Sequence, residues 1–427
     1  MFAATGAQAA VDAVVQQALE LQAQGKSAAA YDLLEPLEVD RAGDPDFDTV
    51  FGILGNETEH FSRAIMALER VLAVQPTHPR VRAELGRALF AVGDNKSARE
   101  LFEDAKKGEI PPGAALTIDQ FLSAIERAED AGRSAIRGYI EAGIGYDTNV
   151  NSGPANGNVA VPAFGGAILK LDASGVKLGS AFGSLSGGLT GRHVLDPRWS
   201  LIGAVSGTTR PNADRASQLN TSQLDGNAGV SWRHERNEIT AVAQLGTFTL
   251  DGRQFRQSAG GTAEWIYRID GFRQWNSYLQ YARLHYPTQT TRDVDRTVIG
   301  TSYAHQFKGG NLAFGGVYAG AEKTTNDNVD QLGHHLFGMR GGLQIPVGSS
   351  MAAFASFGYE NRVYGGSDPF FLIRRHDRQG NANFGLLWEP APRWRVTPQI
   401  AFTRVSSNSP ISDFNKAVLS VTARREF

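Results

Sequence analysis

The stretch WRVTPQIAF (394–402) decides how the C-terminal part of this chain is read. Trp394, Val396, Pro398, Ile400 and Phe402 fall on one side of an extended backbone, with Arg395, Thr397 and Gln399 on the other. Successive side chains of a strand point to opposite faces, so such a segment is greasy on one side and wet on the other. The same grammar sets Ala228, Val230 and Trp232 against Asn227, Gly229 and Ser231. It returns in the closing FNKAVLSVTARREF (414–427), where Ala417, Leu419, Val421, Ala423 and Phe427 share a face.

Working outward from these segments, fourteen strands can be placed between residues 138 and 427. Gaps after even-numbered strands are tight, as at Asp196-Pro197, His234 to Asn237, Asp270-Gly271, Lys308 to Gly310, Pro346 to Ser349 and Pro390 to Pro392. Gaps after odd-numbered strands are mostly longer, notably 148–178 and 362–375. Short turns on one side and long loops on the other are the signature of an outer-membrane barrel, whose even strand count leaves both ends in the periplasm. All six tryptophans (Trp199, Trp232, Trp265, Trp275, Trp388, Trp394) follow Ala135, and each lies within about five residues of a short turn. A soluble sandwich would bury its tryptophans with no bias to one end; a membrane barrel gathers them into an interfacial girdle. Residues 137–427 are therefore expected to form an antiparallel 14-stranded transmembrane β-barrel.

Residues 11–133 obey a different rule. They read as helix, rich in Ala, Leu and Glu, and repeat at a 34-residue step with registers starting at Val11, Pro45 and Pro79. Place eight is Ala18, Gly52 and Gly86; place twenty is Ala30, Ala64 and Ala98; place twenty-four is Leu34, Leu68 and Phe102; place twenty-seven is Leu37, Val71 and Ala105. Small residues let paired helices approach while larger ones fill the gap, which is the tetratricopeptide pattern of an α-solenoid. A further helix is expected from Thr117 to Asp130, with Thr117 and Gln120 spaced as a capping box, covering the open end of the third repeat. The fold class is thus an N-terminal periplasmic tetratricopeptide α-solenoid joined to a membrane β-barrel.

Composition narrows the function. With 427 residues, a formal net charge of -2 and no cysteine, the chain has no basic stripe for nucleic acid, no disulfide framework and no thiolate nucleophile or metal site. No window reaches the ~18 consecutive apolar residues of a spanning helix, which says nothing against spanning strands. The opening MFAATGAQAA lacks the basic n-region and apolar core of a secretion signal, so a mature chain with its leader removed and a Met supplied is expected. Histidines show no metal spacing, no G-x-S-x-G elbow or nucleotide motif is present, and neither an enzymatic role nor a cofactor is expected.

At the junction of the two parts stands GYIEAGIGYDTNVN (138–151), with a glycine–tyrosine–aspartate–x–asparagine core. Repeats leading into a barrel through this segment resemble the surface lipoprotein assembly modulator (Slam) family. Arg425 departs from the usual apolar or aromatic residue of a terminal assembly strand that ends in phenylalanine. The resemblance implies a type XI secretion translocator in the bacterial outer membrane, which delivers lipoproteins or secreted haem- or metal-acquisition proteins to the cell surface. Its partners would be the client protein, the barrel-assembly machinery during biogenesis and outer-membrane lipid. Two other readings stand beside it, a polysaccharide export porin and a passive small-solute channel; three repeats are few for the former.

The candidate binding residues fall in two groups. Glu141, Asp147, Asn149 and Asn151 would point the same way along a strand and line the lumen or its rim. The odd-position oxygens starting at Asp147 fail as an EF-hand, because glycine arrives late at Gly153 and the twelfth place is Asn158. In the repeats, Asn56, Arg80, Arg87 and Phe90 would line the groove that receives a client. Arg283, Arg374, Arg375 and Arg378 could form a basic strip in the lumen or an external loop, although a solvated loop charge is the more common explanation for such residues.

Overall fold

The computed structural model describes residues 12–130, 133–307, 309–348 and 350–427. The opening decapeptide, Val11, Lys308 and Ser349, all used in the sequence reading, lie outside the described residues. The chain divides into two compact units between Glu129 and Asp130.

The first unit holds helices α1 (Ala13–Ala23), α2 (Ser27–Leu34), α3 (Glu38–Arg41), α4 (Pro45–Glu57), α5 (Phe61–Val74), α6 (Pro79–Val92), α7 (Asn95–Lys106) and α8 (Pro112–Asp130). The 34-residue columns are the places where helices touch. A Cβ added to Gly52 would meet the Leu68 side chain at 2.5 Å, and one added to Gly86 would meet the Phe102 ring at 3.1 Å. Place eight of the second and third repeats is thus pressed against place twenty-four, and glycine is what lets α4 approach α5 and α6 approach α7. Leu34, Phe51, Leu54, Leu68 and Phe102 are buried around these contacts.

Polar residues fix the helix ends. Asp12 and Asp44 cap α1 and α4 by accepting from the N–H groups of Val14 and of Asp46 and Phe47. Arg41 bonds both carboxylates, and that bond is the main reason both titrate below the ordinary aspartate range. Asp48 of α4, with no exposed surface, takes both Nε (2.9 Å) and Nη2 (2.6 Å) of Arg70 of α5. Phe121 of α8 stacks on Phe102 with ring centroids 5.0 Å apart and meets Phe90 edge-on at 5.5 Å, so α8 covers the last helix pair. The expected capping box is absent: α8 begins at Pro112, and the Thr117 hydroxyl donates to the Gly113 carbonyl from inside the helix. Nothing between Gly113 and Thr117 opposes helix, so the start moves upstream.

The second unit is built from β1 (Ala135–Asp147), β2 (Asn158–Val161), β3 (Ala167–Lys170), β4 (Ser180–Val194), β5 (Trp199–Arg210), β6 (Thr221–His234), β7 (Asn237–Leu250), β8 (Arg253–Arg268), β9 (Arg273–His285), β10 (Val294–Gln306), β11 (Leu312–Thr324), β12 (His334–Pro346), β13 (Met351–Ser367), β14 (Arg374–Ala391), β15 (Trp394–Ser407) and β16 (Phe414–Glu426). β1 and β4 through β16 form a closed antiparallel barrel of fourteen strands, while β2 and β3 pair as a separate small sheet. Closure sets Tyr139 to Asp147 against Val418 to Glu426, and Phe427 and Gly138 exchange backbone hydrogen bonds at 2.8 and 2.9 Å.

The outer wall is apolar: Ile140, Leu185, Leu245, Ile299, Phe337 and Leu419 are all exposed on it. Five of the six tryptophans are 40–45% exposed, and Trp199 pairs in register with Trp232 while Ile239 pairs with Trp265, all at the rim that carries the short turns. On the inner wall large rings lie over glycines. A Cβ at Gly300 would meet the Tyr278 ring at 2.6 Å, and one at Gly385 would meet the Phe354 ring at the same distance. An aromatic laid across a neighbouring strand's glycine pins the register and fills the curve of the wall.

Three local departures from the sequence reading have physical causes. β1 ends at Asp147, so Asn149 and Asn151 belong to a turn rather than to a strand. The loop expected at 362–375 shrinks to 368–373, because Gly365 and Gly366 absorb a register shift between Val363 and Ser367 and let β13 run on. The hairpin of β2 and β3 sits unannounced inside 148–178, since four-residue strands are too short to show a period.

Overpacking the tightest helix contact should be costly. Gly52→Leu is expected to destabilise the helical unit by about 1–3 kcal/mol, read as an earlier melting transition in far-UV circular dichroism of the whole protein.

Candidate functional site: the barrel lumen and its mouth

Most inward-facing charges of the barrel lie in ion-paired clusters, and several of these tie strands together. Near the short turns, Glu238 of β7 is 5% exposed. Its Oε1 accepts from Arg192 (2.9 Å) and from the Ser231 hydroxyl (2.8 Å), and its Oε2 accepts from Arg233 (2.8 Å) and Arg268 (2.6 Å). One carboxylate thereby joins β4, β6, β7 and β8. Toward the long loops, Asp147 of β1 has no exposed surface and takes Arg210 of β5 at 2.8 Å and Lys416 of β16 at 2.9 Å. The Arg210 guanidinium also lies 3.9 Å over the Phe182 ring, which in turn fills the space beside Gly145.

Further along the inner wall, Glu360 accepts from the Tyr318 hydroxyl at 2.7 Å and pairs with Arg362; Arg296 pairs with Glu322 at 2.9 Å, and Arg375 with Asp377 at 2.6 Å. In these clusters eight cations face five carboxylates, so they make the inner wall polar and carry an excess of positive charge.

The predicted lumen residues separate. Glu141 is half-buried on the inner face of β1, in register with Arg424 on one side and Ser186 on the other. Asp147 is on the same face, occupied as described. Asn149 is fully buried: its N–H donates to Asp147 Oδ1 (2.9 Å), and its Nδ2 donates to the carbonyls of Gly153 and Asn415 (both 2.9 Å). Asn151 donates to the carbonyls of Ser174 (2.7 Å) and Val176 (2.6 Å) and accepts from Leu178 N–H (3.1 Å). Asn149 therefore ties the start of the 148–178 loop to β1 and β16, and Asn151 ties it to the loop's own end at 174–178.

The four arginines of the candidate basic strip also separate. Arg375 faces the lumen, Arg378 lies on the opposite face of β14, Arg374 donates to the Tyr364 carbonyl, and Arg283 pairs with Asp295 while strongly exposed.

In the helical unit, Asn56 is buried and its Nδ2 donates to the Glu84 carbonyl (2.8 Å) and carboxylate (2.9 Å), leaving its Oδ1 without a partner. Arg87 reaches the same Glu84 carboxylate at 3.6 Å. Phe90 is packed against α8 and Arg80 is exposed. Glu84 thus links α4 to α6, a role the sequence did not signal because its spacing is that of any solvated helix glutamate. The Glu238 cluster was equally unmarked: Arg192, Arg233 and Arg268 each end a strand beside a turn, where a charge reads as solvated.

A sequence profile of the surface lipoprotein assembly modifier family matches residues 199–427, which is β5 to the end of the chain and more than half of it. The chain belongs to this family. A tetratricopeptide repeat profile matches residues 57–108, covering α5 to α7. Surface lipoprotein assembly modifier 1 of Haemophilus influenzae is 21% identical over 403 residues, covering 87% of this chain and 75% of that protein. The protein of the same description from Neisseria meningitidis serogroup B is 22% identical over 386 residues, covering 86% of this chain and 72% of the relative. Among solved structures, a loop-deletion variant of the Vibrio cholerae outer membrane protein OmpT is similar at 9% identity and a TM-score of 0.41, covering 70% of this chain and all of that one. The junction motif 138–151 lies upstream of the matched family segment.

Glu238→Gln leaves three guanidinium groups around a neutral amide. It should destabilise the barrel by roughly 3 kcal/mol, seen as a lower temperature for conversion of the folded to the unfolded band on semi-native gels.

Proposed function

We propose that this chain is an outer-membrane translocator that carries lipoproteins, or secreted haem- or metal-acquisition proteins, to the cell surface through its barrel. The observation that carries the reading is a closed barrel, apolar and tryptophan-rimmed outside and lined by paired charges inside, in a chain belonging to the surface lipoprotein assembly modifier family. An apolar wall suits lipid, and a wet lumen lets a polypeptide cross without exposing backbone to hydrocarbon. The short-turn rim faces the periplasm in this reading, and the long loops face out. In this reading the repeats lie on the periplasmic side, where Arg80 and Arg87 would engage the client and the buried Asn56 holds α4 to α6. Glu141 would meet it inside the lumen, while the buried Asp147 holds Arg210 and Lys416 in the wall. The excess of cations there favours acidic stretches of the passing chain. Lipid and the barrel-assembly machinery, which would receive the terminal strand ending at Phe427, complete the partner set.

The test is surface display. Each lipoprotein or secreted protein encoded near this chain is tagged and exposed to external protease in cells with and without it. At least one should lose protease access on deletion and regain it on complementation; display unchanged for all of them removes the translocator reading. A steady, large planar-bilayer conductance from the purified protein would favour the passive channel instead.

A further inference from the structure

The loop between β1 and β4 carries an open strand edge. β2 is anchored, with Val159 and Val161 buried, whereas all four residues of β3 are exposed. Among the described residues no strand other than β2 pairs with β3. The register fixes which groups are free. Leu171 N–H donates to the Gly157 carbonyl at 2.8 Å, and hydrogen-bonded pairs alternate in an antiparallel ladder. Leu169 and Ala167 therefore face β2 with their main-chain groups, opposite Val159 and Val161, and the N–H and C=O of Ile168 and Lys170 point away from it.

The surroundings of this edge are apolar. Ile168 is 72% exposed, Leu169 57% and Phe164 65%, and the neighbouring 368–373 loop shows Phe370 at 55% and Leu372 at 61%. The two loops are joined: Ala163 N–H donates to the Phe370 carbonyl at 3.0 Å, and the Phe164 and Phe370 rings meet edge-on at 6.2 Å. On the barrel wall an exposed leucine has lipid to face. At the long-loop end it faces water, and contiguous apolar surface with unpaired strand hydrogen-bonding groups marks an interaction site.

We propose that the β3 edge receives an extended segment of the transported polypeptide as an added strand when it leaves the lumen. This rests on the translocator reading. Three features select that occupant. Main-chain pairing is indifferent to sequence, so one edge serves any client that emerges unfolded. The exposed Phe164, Ile168, Leu169, Phe370 and Leu372 would cover apolar side chains that the emerging chain has not yet buried in its own core. The edge is continuous with the mouth of the proposed path, since Asn149 fixes the base of its loop to the ends of β1 and β16. Lys170 closes the open edge with a charge, which discourages pairing between copies of the barrel.

The experiment uses the full-length protein in cells and a tagged lipoprotein whose display is abolished by deleting the chain. A photo-crosslinking amino acid at position 168 should give an adduct with that lipoprotein during export, and one at Leu245 on the outer wall should not. Ile168→Pro removes the outward N–H without touching the ladder to β2 and should lower display several-fold, while Ile168→Thr stays near wild type. Heat modifiability of the barrel checks that both variants fold. No client adduct at 168, an adduct only with lipid or a second copy, or full display by Ile168→Pro would overturn the proposal while deletion still abolishes display. Display that survives deletion takes down the translocator reading and this inference together.

Discussion

A strand in hydrocarbon must have every main-chain N–H and C=O bonded to another strand, because no water is available to replace a missing partner. In this molecule the requirement is met by pairing β1 with β16, and the rest of the barrel follows from it. An even number of strands brings the two ends of the sheet to the same rim, so that Tyr139 can lie opposite Glu426 and Gly138 opposite Phe427. Curvature tight enough to close fourteen strands crowds the inside, which explains the inward glycines and the rings laid across them. Large side chains on every inner position would leave no room; glycine on every one would leave the register loose.

The lumen is governed by a related necessity. Arginine and carboxylate groups that point into the lumen lose part of their hydration, and those in the clusters recover it from partners of opposite charge on the same wall. Glu238 and Asp147 hold strands together near the two ends of the lumen, one with three cations and one with two. Pairing on this scale gives a rigid wall, and the cations left over give it a sign.

Much of this was legible beforehand, for a reason specific to each element. The inner and outer faces of β15 and β16 could be assigned from alternation because the two solvents they meet differ so sharply. The repeat step was legible because a small residue, Ala18, Gly52 or Gly86, recurs every 34 positions, and at the latter two the helices press closely together. The capping box failed because Thr117 and Gln120 have the right spacing inside a helix as well as at its start. Asn149 and Asn151 were read as lumen residues because alternation was extended beyond Asp147, where the side chains of buried Asn149 and half-buried Asn151 take over the hydrogen bonding that a strand partner would have supplied.

Sequence alone determined the two kinds of periodicity, the parity of turns and loops, the small-residue columns and the placement of tryptophan, since each is a local pattern imposed by a uniform surrounding. Tertiary structure decided which charges meet. Glu238 is separated from Arg192 by 46 residues and Asp147 from Arg210 by 63, and only the closing and stagger of the sheet bring them within reach. It also decided that one edge inside a long loop stays open, because whether a strand has a neighbour is a property of the space around it and leaves no mark on its own residues.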